Sequence, residues 1–424
     1  VPPARARTST QAHAASTPTL DAWRAYADSG PAADLLAVPT EPQVADLAQL
    51  RRRWPADVVA VAVEAARARA KARAKLHREL ADRVLADAGG VESASSWEAA
   101  RHKAARFASH ATHADNHASG VLDLCCGIGG DAYALATAGL SVVAVDADAT
   151  RAWMASRNAR CESAVGDVGS PAWLERIDGA RVHLDPSRRG GGRRHHRYED
   201  YAPGPATIAA ITARARAACV KLGPGVDFAA LPQPEASEVE LLSERGGLTQ
   251  ALLWTGTLRT TPAWHRRATL LPAGASFHAP PQPAADAVGW DPEAPTPATI
   301  LEPDPSLERA GLLGPFAREH GLGLVHPAVG LLACAPGLGD PPPDARPWVA
   351  AYDVLEVMPW REKRVRAALR ALDAGLVAVK TRGKLVDTDA LQKSLRGAGP
   401  NALSVFVLRF GSARRAIIAR RRPG

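Results

Sequence analysis

Four acidic residues stand where short apolar runs break off: Asp123 in VLDLCCGIGG, Asp146 in VVAVDAD, Asp167 in AVGDV and Asp185 in HLDPSRR. Between the first two lies a turn in which Gly127, Gly129 and Ala132 satisfy GxGxxA, a spacing that lets backbone pass close to a ligand at a helix N-terminus. Dinucleotides use such a turn, and so do other nucleoside-bearing ligands. Asp146, followed by Ala147, suits a ribose in any of them, because one carboxylate accepts two hydrogen bonds at once. Asp123 discriminates. A pyrophosphate beside it would set like charges together, whereas the sulfonium and ammonium of S-adenosyl-L-methionine (AdoMet) would be attracted. Asp167 is placed to accept from an adenine amino group, with Val168 beside the ring.

These residues need a frame, and the run from Gly120 supplies one. GVLDLCC, SVVAVDA, CESAVGDV, RVHLDPS and ACVKLGPG read as five buried strands separated by helices such as DAYALATAG and PATIAAITARARAA. Ser170-Pro171 opens one helix with a cap followed by Pro. ASEVELLSERGGLTQALLWTG then reads as an edge hairpin turning at Gly246-Gly247. Alternation of this kind predicts a parallel sheet covered on both faces. Before it, residues 20–118 read as helices, in QVADLAQLRRRW, in DVVAVAVEAARARAKARAKLHRELADRVLADAGG with Gly89-Gly90 as its stop, and in SSWEAARHKAARFA. Residues 1–19 are expected to be disordered, and 275–346 to be a Pro/Ala-rich connecting segment with some order in LERAGLLGPFAREHGL. From Tyr352 onward the pattern reads strand, helix, strand, helix, strand, strand.

Composition sets outer bounds. The chain has 424 residues, 46% hydrophobic and 23% charged, enough for several domains. No apolar run approaches the roughly eighteen residues of a membrane span, and the first residues lack a secretory apolar stretch, so a cytoplasmic location is expected. Five cysteines without a CxxC pair predict neither a disulfide framework nor a metal. His110, His113 and His117 recur at helical spacing, but no carboxylate or cysteine completes a ligand set. The net charge is +8, and from Trp348 onward sixteen Lys/Arg face six Asp/Glu, leaving about −2 for everything before. The positive end is therefore the C-terminal one, which favours a polyanionic partner.

DLCCGIGG, VVAVDAD, AVGDV and LDPSRR resemble, in order and spacing, motifs I to IV of class I AdoMet-dependent methyltransferases, a likeness over roughly residues 119–272 that implies a methyltransferase domain at 119–274. Cys125 stands at the first glycine position of the usual DxGxGxG, as in the CGxGG variant of RNA-directed and cap-hypermethylating enzymes. The stretch YDVLEVMPWREKRVRAALRALDAGLVAVKTRG resembles the THUMP-like domain of bacterial methyltransferases, which places such a domain at 347–424. Together these resemblances imply an α/β fold: a Rossmann-like class I methyltransferase seven-stranded sheet, preceded by an N-terminal helical domain and followed by an α+β THUMP-like unit. They imply AdoMet as cofactor, contacted by Asp123, Cys125, Gly127, Gly129, Asp146, Ala147, Asp167 and Val168, and RNA, tRNA or rRNA, as partner.

In the implied fold the end of the fourth strand faces the transferred methyl group, which selects Asp185, Pro186, Ser187 and Arg188. DPSR departs from the (N/D/S)PPY of amino-directed enzymes and approaches the DPPR of RNA uracil-C5 methyltransferases. The latter need a cysteine at the end of the fifth strand, where this chain has VKLGPG. Direct in-line transfer to nitrogen or oxygen remains, with Asp185 orienting or deprotonating the acceptor and Pro186 and Ser187 shaping the loop. Arg188, Arg189, Arg193, Arg194 and Arg197 could clamp phosphates, and an aromatic at Tyr198 or Tyr201 could either stack on a base or pack. A small-molecule or protein methyltransferase, a silent RNA-binding protein and a nicotinamide-dependent oxidoreductase stay open at this point.

Overall fold

The structure is a computed structural model that describes residues 18–30, 33–110, 120–190, 193–194, 197–232, 235–282, 298–326, 329–334 and 340–423, without the side chains of 189, 190, 193 and 194. Residues 1–17, most of the segment expected to be disordered, lie outside this set. The chain divides into two units, Val1–Ala108 with Ser119–Val168, and Ser109–Ala118 with Gly169–Gly424.

In the first unit β1 (Gly120–Leu124), β2 (Ser141–Asp146) and β3 (Glu162–Val165) form a parallel ladder with β2 central, pairing Asp123 with Ala144 and Asp146 with Val165. The helices Gly130–Thr137 and Ala149–Ala159 make the crossovers that parallel strands require. The N-terminal segment is helical, but its long periodic run is three helices, Ala56–Ala72, Arg78–Arg83 and Ala88–Ser93. The first buries Ala62, Ala65, Ala68 and Ala72, small residues at helical spacing. Gly89 and Gly90, expected as a stop, lie inside the third. Its N-cap Asp87 accepts from the Gly90 N–H at 2.5 Å, and a Cβ on Gly90 would fall 2.5 Å from Ile128 Cγ2. Close packing, not termination, explains this glycine.

In the second unit β4 (Arg181–Leu184), β5 (Ala217–Leu222), β6 (Glu238–Glu244), β7 (Gly247–Gly256), β8 (Arg266–Leu271) and β9 (Ser276–Ala279) run in the order β4-β5-β7-β6-β8-β9. The β6–β7 hairpin turns through Arg245 at φ 54° and Gly246 at φ 77°, two left-handed residues as a tight hairpin needs. It is not the edge: β8 adds parallel to β6, and β9 antiparallel to β8. All seven expected strands, β1–β7, are present, and two more follow.

A further sheet closes the same unit. It comprises β10 (Thr299–Pro303), β11 (Leu322–Leu324), β12 (Leu332–Cys334), β13 (Val349–Pro359), β14 (Ala374–Thr381), β15 (Asn401–Phe410) and β16 (Ala413–Arg421), ordered β11-β12-β10-β13-β16-β15-β14. On β15 Leu403, Val405 and Val407 pack toward Val365, Leu369, Leu391 and Leu395 of two helices, and Phe406, Leu408 and Phe410 toward Tyr352, Val325 and Val329. A strand buried on both faces reads as one apolar run, which ALSVFVL is. Residues 275–346 thus supply β9 to one sheet and β10, β11 and β12 to the other.

Candidate active site

The glycine-rich turn leaves β1 through Cys125 at φ 57°, with Gly127 at 55° and Gly129 at 78°. Cys125 adopts the left-handed conformation usually given to glycine. Asp146 holds this turn: one carboxylate oxygen accepts from the Gly127 N–H and the other from the Asp148 N–H, each at 3.0 Å. Burial pushes the Asp146 carboxyl above its ordinary range, and those two donors pull against it. Gly129 is fixed by packing, since a Cβ there would come within 2.6 Å of Ala155 Cα.

Asp123 is wholly buried beneath the turn. Its field is felt by two thiols: burial first, then Asp123, pushes Cys161 up to about 11, and burial with Asp123 and Asp146 raises Cys126 well above the usual range. Asp123, Cys125, Gly127 and Asp146 are therefore gathered where the paired strands β1 and β2 end. Ala147 and Asp167 are exposed, and Val168 is buried.

The helices brace this turn, a role the sequence did not reveal. Asn158, 1% exposed, donates to the Leu85 and Ile128 carbonyls and accepts from the Leu85 N–H, all at 2.9 Å. Arg151 pairs with Asp87 at 2.6 Å. Lys103, buried on the helix Trp97–Ser109, meets Asp131 at 2.6 Å in the first turn after the glycines, where Ser95 also donates to Asp131. An Asn in the last turn of the helix Ala149–Ala159 is the sequence signal for the first of these contacts. Of the three spaced histidines, His113 and His117 lie outside the described residues.

In the second unit Asp185 follows β4, and Lys221 Nζ reaches its carboxylate at 2.6 Å from the nearly buried end of β5. The lysine in VKLGPG was the missed residue. Ser187 exchanges both backbone hydrogen bonds with Ala202, at 2.7 and 3.0 Å, which ties the loop down by its backbone at that residue. The Gly223 N–H donates to Tyr201 Oη at 3.0 Å, and a Cβ on Gly223 would strike Tyr201 Oη and the Arg188 guanidinium. Asp185, Arg188, Tyr201 and Lys221 thus share one corner.

Tyr198 and Tyr201 are buried against each other, rings 5.6 Å apart at 71°, so they pack instead of offering a base platform. Arg189 and Arg194 are paired by backbone in a short ladder, Arg197 pairs with Glu199 at 3.4 Å, and His195 and His196 lie outside the described residues. Trp254 is fully buried and donates to Glu240 at 2.7 Å, whereas Trp264 is 61% exposed. Cys219 is fully buried on β5, and VKLGPG places no thiol at that strand's end.

Comparison with known proteins decides the family. An uncharacterized S-adenosylmethionine-dependent methyltransferase of Mycobacterium tuberculosis is 32% identical over 324 residues, 76% of this chain and 84% of the relative. The chain belongs to the S-adenosylmethionine-dependent methyltransferases. A crystal structure of a Porphyromonas gingivalis W83 protein assigned to the methyltransferases shares the fold, with TM-score 0.69 and 15% identity over 95% of this chain and 98% of that one. Residues 118–168 match the family model of RNA cap guanine-N2 methyltransferases, and residues 349–421 that of the THUMP domain-like family.

AdoMet is thus the cofactor of this methyltransferase, and the nicotinamide and silent readings fall away. The residues fit it. From Asp123 through Thr150 the chain contains no Lys or Arg to receive a diphosphate, while Asp123 and Asp146 present negative charge at two strand ends. Among the described residues no helix is long and apolar enough to cross a membrane.

Proposed function

We propose that this methyltransferase modifies RNA, tRNA or rRNA, by direct in-line transfer to a base nitrogen. AdoMet supplies an activated methyl group with a good leaving group. The protein's share is then alignment, exclusion of water and acceptance of a proton. Asp123, Asp146 and Asp167 would hold the cofactor's cationic, ribose and adenine parts in that order, with Cys125, Gly127, Gly129, Ala147 and Val168 lining it.

One observation carries the acceptor chemistry: the Asp185 carboxylate is held by Lys221 at 2.6 Å. A carboxylate fixed on one side presents its remaining lone pairs in a set direction, as needed to accept the N–H of an amine or ring nitrogen in line for attack. Pro186 and Ser187 shape the loop, and Arg188 beside Gly223 is available to a phosphate. No thiolate stands where pyrimidine C5 chemistry needs one. The RNA part of the reading is supported by the two family matches and by the concentration of cations after Trp348.

The test is nucleoside mass spectrometry of RNA from cells with and without the protein, paired with transfer of labelled methyl from AdoMet to purified tRNA and rRNA. The expected result is loss of one N-methylated nucleoside in cells and its restoration in vitro. A lost ribose-O-methyl or C5-methyl nucleoside would sink the nitrogen assignment, and label entering only protein or small molecules would sink RNA.

A further inference from the structure

The second sheet leaves an unexplained concentration of like charge at one corner. Arg409 on β15 stands directly opposite Arg414 on β16, and Arg415 stands opposite Leu408 on one side and Pro359 of β13 on the other. Trp360 donates its N–H to the Arg414 carbonyl at 2.9 Å, bringing Arg361 to the same corner. From there the helix Glu362–Ala371 starts, with Lys363 and Arg364 exposed.

Like charges directly opposite on antiparallel strands oppose folding. Packing does not account for them, since Arg409 and Arg414 are both exposed. None of these six cations makes an ion pair among the described residues, whereas Arg366 on the same helix pairs with Glu362 at 2.6 Å. Of the domain's other cations, Lys380 pairs with Glu302 at 2.7 Å, Arg382 with Glu308 at 3.3 Å, and Arg422 with Asp353 at 2.6 Å and Asp340 at 2.5 Å, whereas Arg370, Lys384, Lys393, Arg396, Arg420 and Arg421 are exposed. What marks the first corner is the exposed cross-strand pair Arg409–Arg414 with four more cations beside it, charge that releases counterions when a polyanion binds.

We infer that this corner, Arg361, Lys363, Arg364, Arg409, Arg414 and Arg415, is the surface across which the phosphodiester backbone of the RNA substrate lies. The inference rests on the RNA reading above. A polyanion removes the cross-strand repulsion, and guanidinium groups match phosphate oxygens in bidentate fashion. Contacts of this kind position a nucleic acid without reading its sequence, so the surface sets register while the methyltransferase loop selects the base.

The test uses the full chain, because β10 pairs with β13 from Thr299↔Asp353 to Pro303↔Val349, and removing the C-terminal segment would strip that strand of its neighbour. Arg361→Gln/Arg409→Gln/Arg414→Gln is compared with wild type and with Arg51→Gln/Arg52→Gln, two exposed arginines of the helical region. Readouts are tRNA affinity across a salt series, AdoMet affinity by calorimetry, and Tm.

The triple variant is expected to lose at least about tenfold in RNA affinity near 0.1 M salt. Its log–log salt slope should be shallower by about 2–3, with AdoMet binding unchanged and Tm unchanged or higher. The control variant should match wild type. Wild-type affinity and slope in the triple variant would overturn this surface while leaving the RNA reading intact; wild-type protein that neither binds nor methylates RNA would overturn both. A Tm falling with RNA affinity would make the arginines structural and overturn the inference. So would binding to phosphatidylglycerol vesicles in place of RNA.

Discussion

Lys221 and Asp185 meet at 2.6 Å, the ammonium 6% exposed and the carboxylate 24%. Removing the lysine leaves a partly desolvated carboxylate without its partner. A fully buried pair broken in this way costs about 3–5 kcal/mol, and the solvent still reaching Asp185 reduces that to about 1–3 kcal/mol. Lys221→Met should therefore lower stability by that amount in urea unfolding. It should cut methyl transfer about 10²-fold and leave AdoMet affinity within about twofold. Asp185→Asn should cut transfer at least as far. A matching collapse of AdoMet affinity would move the pair from acceptor chemistry to cofactor binding.

Asp146 presents a different problem, because its two oxygens already accept the Gly127 and Asp148 N–H groups. Asp146→Ala would loosen the turn whether or not a ribose is held, so loss of AdoMet binding alone does not establish the contact. Each carboxylate oxygen keeps a second lone pair, which leaves room for ribose hydroxyls. An AdoMet analogue lacking both hydroxyls separates the two roles. Wild type should bind it about 10²-fold more weakly than AdoMet, and Asp146→Ala should show no preference. Equal affinity of wild type for both would refute the ribose assignment.

Strands β1–β7 were legible because each is a short apolar run ended by Gly, Pro or Asp, and the motif residues lie at or just beyond those ends, whereas the order of the strands within the sheet is not their order in the sequence. Lys221 was hidden because a lysine near a glycine reads as solvated, and its partner lies 36 residues away. Asn158 was hidden likewise, with partners 73 and 30 residues distant. Gly90 was misread because propensity sees only the chain's own cost, whereas the position is set by Ile128 and Arg151. Tyr198 and Tyr201 follow five nearby arginines in sequence yet are buried, which only the fold decides.

Cys161 offers a pH test of the Asp123 environment. Its thiol is pushed up to about 11 from an ordinary 9.0, first by burial and next by Asp123. A folded value above the unfolded one means a stabilising contribution fully present below about pH 9 and lost as pH rises from 9 to 11. Because the thiolate is the nucleophile, native Cys161 should alkylate slowly with iodoacetamide at pH 8. Asp123→Asn removes the second cause and keeps the first, so the pH–rate profile, followed by peptide mass spectrometry, should move to lower pH while staying above 9. Identical profiles would show that the carboxylate is not felt at this sulfur.

Asn158 links the helical region to the cofactor turn through one side chain, and its amide is fully used: two N–H groups donate to the Leu85 and Ile128 carbonyls, and its oxygen accepts the Leu85 N–H. Asn158→Ala leaves three backbone groups without this partner in a buried setting, at about 2–4 kcal/mol. Ile128 sits between Gly127 and Gly129, so the disturbance falls on the turn itself. Asn158→Ala should lower Tm by several degrees and weaken AdoMet binding about tenfold, with kcat at saturating cofactor little changed, because the acceptor residues belong to the other unit. At one AdoMet concentration the ligand should add less Tm to the variant than to wild type, because stabilisation by a ligand grows with the ratio of its concentration to Kd. If the variant loses stability but binds AdoMet as wild type does, the helices support the fold without shaping the cofactor site.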